Sequence, residues 1–189
     1  MNSKTDRRKT RSRRALLDAS VELFLMNPGA SLSDVAQHAG VGRATLYRHF
    51  ESREALIREL VLESLELTRS VMQPVLEAAL DARETLERGL PEIMTVADRF
   101  HFLLSLWSHV DDDAEVNTVY QQQLDWLWNL IERGKREGVI DTSLPTIWIV
   151  SLIDCAVYSG WWVVQSGELT AEEAGRHAAH TLFRGISAR

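Results

Sequence analysis

The stretch SLSDVAQHAGVGRATLYRHF, residues 31–50, decides how this chain is read. It opens with Ser31-Leu-Ser-Asp34, an S-x-x-D capping box, in which an N-cap hydroxyl and a carboxylate three residues on satisfy each other's backbone donors. Val35, Ala36 and Ala39 follow at helical spacing, and Gly40 can take the left-handed backbone that closes a helix. Only Gly40, Val41 and Gly42 separate it from a second short helix, about Arg43 to His49. Two short helices joined by a glycine-containing turn make a helix-turn-helix. The N-terminal residues of the second helix of such a motif meet base edges in the major groove. Here those are Gly42, Arg43, Ala44 and Thr45, with Ser31 at the start of the first helix added to the contacting set. Arg43 can donate two hydrogen bonds to guanine O6 and N7, and Ala44 or the Thr45 methyl can touch a thymine methyl. Tyr47, His49 and Arg53 are placed to donate to phosphates, which fixes register rather than sequence. Tyr47 can equally be a packing aromatic with its hydroxyl in water. Leu46 and Phe50 read as core.

Outward from this stretch the periodicity stays helical. Leu16, Ala19, Leu23 and Phe24 share one face of a first helix, which Asn27-Pro28-Gly29 stops. Ser52 reads as the N-cap of a fourth helix, with Glu54 at its positive end, running past Leu56, Leu60, Leu65 and Leu67 to near Pro74. One or two helices are expected between about Pro74 and Ala97, then others over about 98–109, 114–137, 145–165 and 170–186. Thr170-Ala-Glu-Glu173 is a further capping box. No segment alternates with a period of two, so the fold class is all-α.

The 189 residues carry a net charge of −6, 45% apolar and 25% charged residues, values of an ordinary globular chain. The charge is uneven. Residues 1–50 hold nine Lys/Arg against four Asp/Glu, a balance of +5, and the rest hold twelve against 23, a balance of −11. One end can approach a polyanion while the remainder keeps its distance. Lys4 to Arg14 can follow a groove or the phosphates, or remain a solvated tail adding only salt-dependent affinity. The single cysteine, Cys155, excludes an intrachain disulfide and a cysteine zinc cluster. The basic start lacks the apolar stretch of a secretory signal. The 17-residue run Trp148–Val164 carries Asp154 near its middle, so the chain is read as soluble and cytoplasmic, without a membrane partner.

Residues 31–56 resemble the DNA-binding signature of the TetR family of bacterial transcriptional regulators. The matching positions are Val35-Ala36, Ala39-Gly40-Val41, Thr45-Leu46-Tyr47, His49-Phe50 and Arg53, with Leu17-Asp18-Ala19 and Leu23-Phe24 before them. The resemblance implies a three-helix DNA-binding domain followed by a larger helical domain for ligand binding and dimerisation. It implies a homodimer, nucleoid-associated when bound, on a near-palindromic operator from which a small molecule releases it. Gly42 stands where the family often has Ser or Thr, and Arg53 where lysine is common. The expected division is a basic disordered arm over 1–10, the helix-turn-helix domain over 11–51 and the ligand-binding and dimerisation domain over 52–189.

All six tryptophans lie in the C-terminal part. The side chains expected to line an effector cavity are Phe100, Trp107, Tyr120, Trp126, Trp148, Asp154, Tyr158 and Trp161, although any one of the aromatics can instead be core or interface. Asp154 shares a helical face with Tyr158 and Trp161. A carboxylate there is expensive unless paired. It is either a pocket acid for a cationic or hydrogen-bond-donating ligand, a structural partner of an arginine such as Arg99 or Arg133, or solvent-facing. Small Ala156, Ser159, Gly160, Ala174 and Ala178 are expected at a dimer interface built from the last two helices. No catalytic motif, cofactor motif or complete metal-ligand set is present, so neither an enzyme nor a metalloprotein is expected; His177-x-x-His180 lacks a completing ligand. Two alternatives stay open: a protein-interaction module with a vestigial helix-turn-helix, and an activator of the same family.

Overall fold

The computed structural model describes the backbone of residues 3–186 and the side chains of 13–185 apart from Phe100, Leu103 and Leu104. Among the described residues all regular structure is helical: α1 Ser3–Met26, α2 Leu32–His38, α3 Arg43–Tyr47, α4 Arg53–Glu77, α5 Ala82–Met94, α6 Ala97–Leu106, α7 Ala114–Arg136, α8 Thr146–Gln165 and α9 Ala171–Ile186, with a 3₁₀ turn at Trp107–His109 between α6 and α7. Helix α1 starts at Ser3, so from there on the segment expected to be a disordered arm is helical. Its Lys, Arg, Ser and Thr residues include no glycine or proline to interrupt the helix. The side chains of residues 1–12 lie outside the described residues, and with them most of the expectation that the basic arm follows DNA.

Two compact units are present, and they divide inside α4 rather than at residue 51. The first comprises Met1–Glu63 with Phe102–Val116, the second Ser64–His101 with Asn117–Arg189. In the first, Leu16, Phe24, Val35, Leu46, Leu56, Ile57 and Leu60 are fully buried. Phe24 and Phe102 meet at 6.5 Å between ring centroids. Ion pairs join α1 to α4, Arg13 to Glu59 and Arg14 to Glu63.

In the second unit Leu86, Leu90, Met94, Ile131, Ile149, Ile153, Val157, Leu182 and Phe183 form the core. Its helices approach closely because glycine stands at the crossings. A Cβ on Gly175 would lie 2.3 Å from the Pro91 Cα, so α9 rests directly on the α5 backbone. A Cβ on Gly160 would lie 2.2 Å from the Met94 sulfur. Two residues expected at a dimer interface therefore belong inside the protomer. Gly160 packs on Met94, and Ala174, 4% exposed, lies in the same core. Ala156 and Ala178 are half-buried against that core, and Ser159 alone of the five is exposed.

Candidate nucleic-acid interface and effector site

The turn between α2 and α3 is fixed by backbone hydrogen bonds. At the start of α2 the Ser31 N–H donates to Asp34 Oδ2 at 2.8 Å, and the Asp34 N–H donates to Ser31 Oγ at 3.3 Å. These bonds, with the nearby charge of Arg43, hold the Asp34 carboxyl below its ordinary range. At the far end Gly40 has φ +65°, the Gly40 N–H donates to Gln37 O and the Val41 N–H to Ala36 O, a Schellman closure. Gly42 then caps α3 in an extended conformation. Leu46 and Phe50, 0% and 2% exposed, anchor α3 in the core. With one face so anchored, Gly42, Arg43, Ala44 and Tyr47 are exposed, while Thr45 and His49 are half-buried. Arg48, not among the expected contacts, is exposed beside Tyr47. Its signal in the sequence is only a positive charge at the end of the recognition helix.

Two of the expected DNA contacts are occupied within the unit. Arg53 donates through Nε to Ala30 O at 2.9 Å and through Nη2 to Pro28 O, with its guanidinium carbon 5.3 Å from the Phe24 ring centroid. It pins the start of α4 to the loop before α2. The Ser31 hydroxyl is engaged with Asp34 on both its donor and acceptor sides. Arg58 of α4, not singled out from the sequence, bonds Asp113 at 2.6 Å and also Glu115. Asp113 in turn accepts from the Glu115 and Val116 N–H groups at the start of α7. The Val116 N–H bond above all, then the bond and charge of Arg58, hold the Asp113 carboxyl low.

In the second unit the structure gathers part of the expected effector set and disperses the rest. On α8, Asp154 and Trp161 are half-buried, with Tyr158 between them on the same face. The His101 ring of α6 stacks on Trp161, 3.7 Å between centroids and 11° between planes, and meets Tyr158 at 5.3 Å. Burial pushes the Asp154 carboxyl up to about 6. It lowers His101 and, together with the Asp154 charge, raises the Tyr120 phenol. The arginines expected as structural partners of Asp154 have other contacts. Arg133 donates to Leu80 O and Thr85 Oγ1 and lies 3.4 Å from Glu137, and Arg99 lies 3.8 Å from Asp98. The His101 Nδ1 and Trp161 Nε1 atoms are buried without a hydrogen-bond partner. His101 was not expected here; it lies 60 residues from Trp161, and no sequence spacing reveals the stack.

The other expected residues stand apart. Trp126 packs half-buried against the core, Trp148 is 56% exposed, and Trp107 belongs to the first unit. The Phe100 side chain lies outside the described residues. An open cavity of about 530 Å³ between α5 and α9 is lined by Arg83, Arg176, His180, Phe183 and Arg184, and none of the expected aromatics lines it. The Asp154 cluster differs from this cavity in holding buried polar atoms without hydrogen-bond partners, His101 Nδ1 and Trp161 Nε1.

The helical fold and an exposed recognition helix on a buried anchor define a helix-turn-helix DNA-binding protein. A family model described as bacterial regulatory proteins, tetR family, matches residues 16–60. The transcriptional repressor KstR2 of Rhodococcus jostii is 22% identical over 193 residues, covering 95% of this chain and 93% of that protein. The nucleoid occlusion factor SlmA of Marinobacter nauticus is 32% identical over 137 residues, 70% of each chain. The solved structure of LfrR from Mycobacterium smegmatis in complex with proflavine is similar with a TM-score of 0.74 at 21% identity, over 95% of this chain and 98% of that one. The chain belongs to the TetR family: it is a DNA-binding transcriptional regulator and not an enzyme.

Proposed function

We propose that the protein is a homodimeric cytoplasmic repressor that binds a near-palindromic operator through α3 and is released by a small molecule held in the second unit. The observation that carries the DNA reading is the recognition helix itself, which exposes Arg43, Ala44 and Tyr47 on an anchor of buried Leu46 and Phe50. Arg43 reads guanine, Ala44 and Thr45 meet thymine methyls, and Gly42 lets the backbone approach closely. Tyr47 and His49 contact phosphates, and exposed Arg48 adds a further cation there.

The dimer reading rests on α8. Its inward face packs on the core, while Ile147, Trp148, Tyr158 and Trp162 are 59%, 56%, 43% and 64% exposed, and Cys155 is exposed on the same side. This helix is long and apolar enough to cross a membrane by length and composition, with 28% of its most apolar window buried. Asp154 in its middle argues against a bilayer. A second copy of the same face covers it by two-fold symmetry. Trp148 and Trp162 lie seven residues to either side of Cys155, so an axis through the centre of the face brings the two copies of Cys155 together.

Effector release is supported by the unpartnered polar atoms of the Asp154 cluster and by the relative LfrR, whose structure holds proflavine. Sedimentation of the protein with duplexes selected from a random library tests the reading. Two chains on one two-fold-symmetric site is the expected result. One chain on an asymmetric site contradicts it.

A further inference from the structure

The Asp154 cluster sets a carboxylate on the same helical face as aromatic rings. Asp154 is a carboxylate on an apolar helix with burial acting on it and no cationic partner among the described residues. Two polar atoms of the cluster, Trp161 Nε1 and His101 Nδ1, are buried and unbonded. Buried polar groups without partners are rare in folded proteins and ask for an explanation. Aromatic rings surround them: His101 on Trp161 at 3.7 Å, Tyr158 at 5.3 Å from His101 and 5.9 Å from Trp161.

We propose that Asp154, Tyr158, Trp161 and His101, with Tyr120 near the Asp154 carboxylate, hold an amine carried as a monocation on an apolar body with one hydrogen-bond-accepting oxygen. This rests on the reading of the protein as an effector-responsive regulator and names the class of effector. The ammonium donates to Asp154 and lies among π faces that favour a cation. The oxygen accepts from Trp161 Nε1–H. A carboxylate ligand of the same shape brings like charge to Asp154 and is rejected.

Three probes with one body and three charges test this: 5-methoxytryptamine, the neutral 5-methoxytryptophol and the anionic 5-methoxyindole-3-acetate. Binding to the full chain at pH 8 without DNA is read by calorimetry and ligand-observed NMR. The amine is expected to bind at least about tenfold more tightly than the alcohol, and the acid more weakly than either. Asp154→Asn should bring the amine and alcohol within about threefold of each other, and Asp154→Glu should restore most of the gap. Equal binding of amine and alcohol, preference for the acid, uptake of none of the three, or an unchanged ratio in Asp154→Asn overturns the proposal. Because DNA is absent, the regulator reading fails separately. Amine-selective binding in a protein that selects no DNA sequence leaves this inference standing and removes that reading.

Discussion

Replacing Asp154 by asparagine should make the ligand-free protein more stable. Burial raises the carboxyl from 3.8 to about 6, so the folded chain disfavours the charge that the unfolded chain carries freely. At about 1.36 kcal/mol per pH unit, the full difference is about 3 kcal/mol. The side chain is only half-buried, and solvent screening reduces this to about 1–2 kcal/mol. The sign follows from the direction of the shift. Below 3.8 the group is neutral in both states and contributes nothing. Between 3.8 and about 6 the folded chain holds a proton that the unfolded chain has lost, and the penalty grows with pH. Above about 6 it is complete. Tyr120 and His101 are titratable neighbours that face Asp154 or its ring cluster; burial raises the Tyr120 phenol, which stays neutral across this range, and lowers His101 from its ordinary value. For a chain of this size the gain corresponds to about 3–6 °C in Tm. Thermal melts of both proteins at equal concentration should show Asp154→Asn higher at pH 8, with roughly half of the gain left at pH 5. A lower Tm for the variant at pH 8 would mean that Asp154 has a stabilising partner, and would refute this reasoning.

Three further outcomes are expected. Arg53→Met should lose about 1.5–3 kcal/mol in urea denaturation, because the Ala30 and Pro28 carbonyls lose a charged donor; an unchanged midpoint would return Arg53 to the role of a free phosphate contact. Gly175→Ala should cost about 3 kcal/mol, since the new methyl meets the Pro91 backbone, while Gly160→Ala should cost about 1 because it meets the flexible end of Met94. The opposite order of midpoints would show that the α5–α9 contact is looser than described. Sedimentation at micromolar concentration should give a dimer that Trp148→Ser with Trp162→Ser converts to monomer, and mild copper-catalysed oxidation should link two chains through Cys155. A wild-type monomer would remove α8 as an interface.

Most of the helices were legible because their signals are local. The Ser31–Asp34 capping box, the left-handed Gly40 and the apolar spacing through Leu46 and Phe50 lie within one stretch, and the structure realises each of them. The beginning of α1 was not, because a run of charged residues reads equally well as a solvated arm and as a helix. Tertiary partners explain the remaining differences. Nothing near Arg53 announces that the carbonyls of Pro28 and Ala30 will receive it, 25 and 23 residues away. The stack of His101 on Trp161 spans 60 residues and leaves no periodic trace. Small residues permit close packing within a protomer as readily as between protomers, so Gly160 and Ala174 looked like interface and are core. Asp154 was conspicuous because a carboxylate on an apolar helix breaks the pattern. Whether an arginine pairs with it depends on tertiary contacts that leave no trace in the sequence: Arg99 lies near Asp98, and Arg133 donates to Leu80 O and Thr85 Oγ1.

The central claim is that α3 reads DNA sequence through Arg43. Selection of bound duplexes from a random library at about 150 mM salt, where sequence-blind attraction to phosphates is weakened, tests it most directly. The wild type should enrich a near-palindrome with half-sites about 34–36 Å apart. Arg43→Ala should blur one position in each half-site, and Tyr47→Phe should weaken binding uniformly without changing the sequence recovered. A wild-type protein that enriches no sequence, or an Arg43→Ala variant that recovers the same site with undiminished preference at every position, would contradict the account.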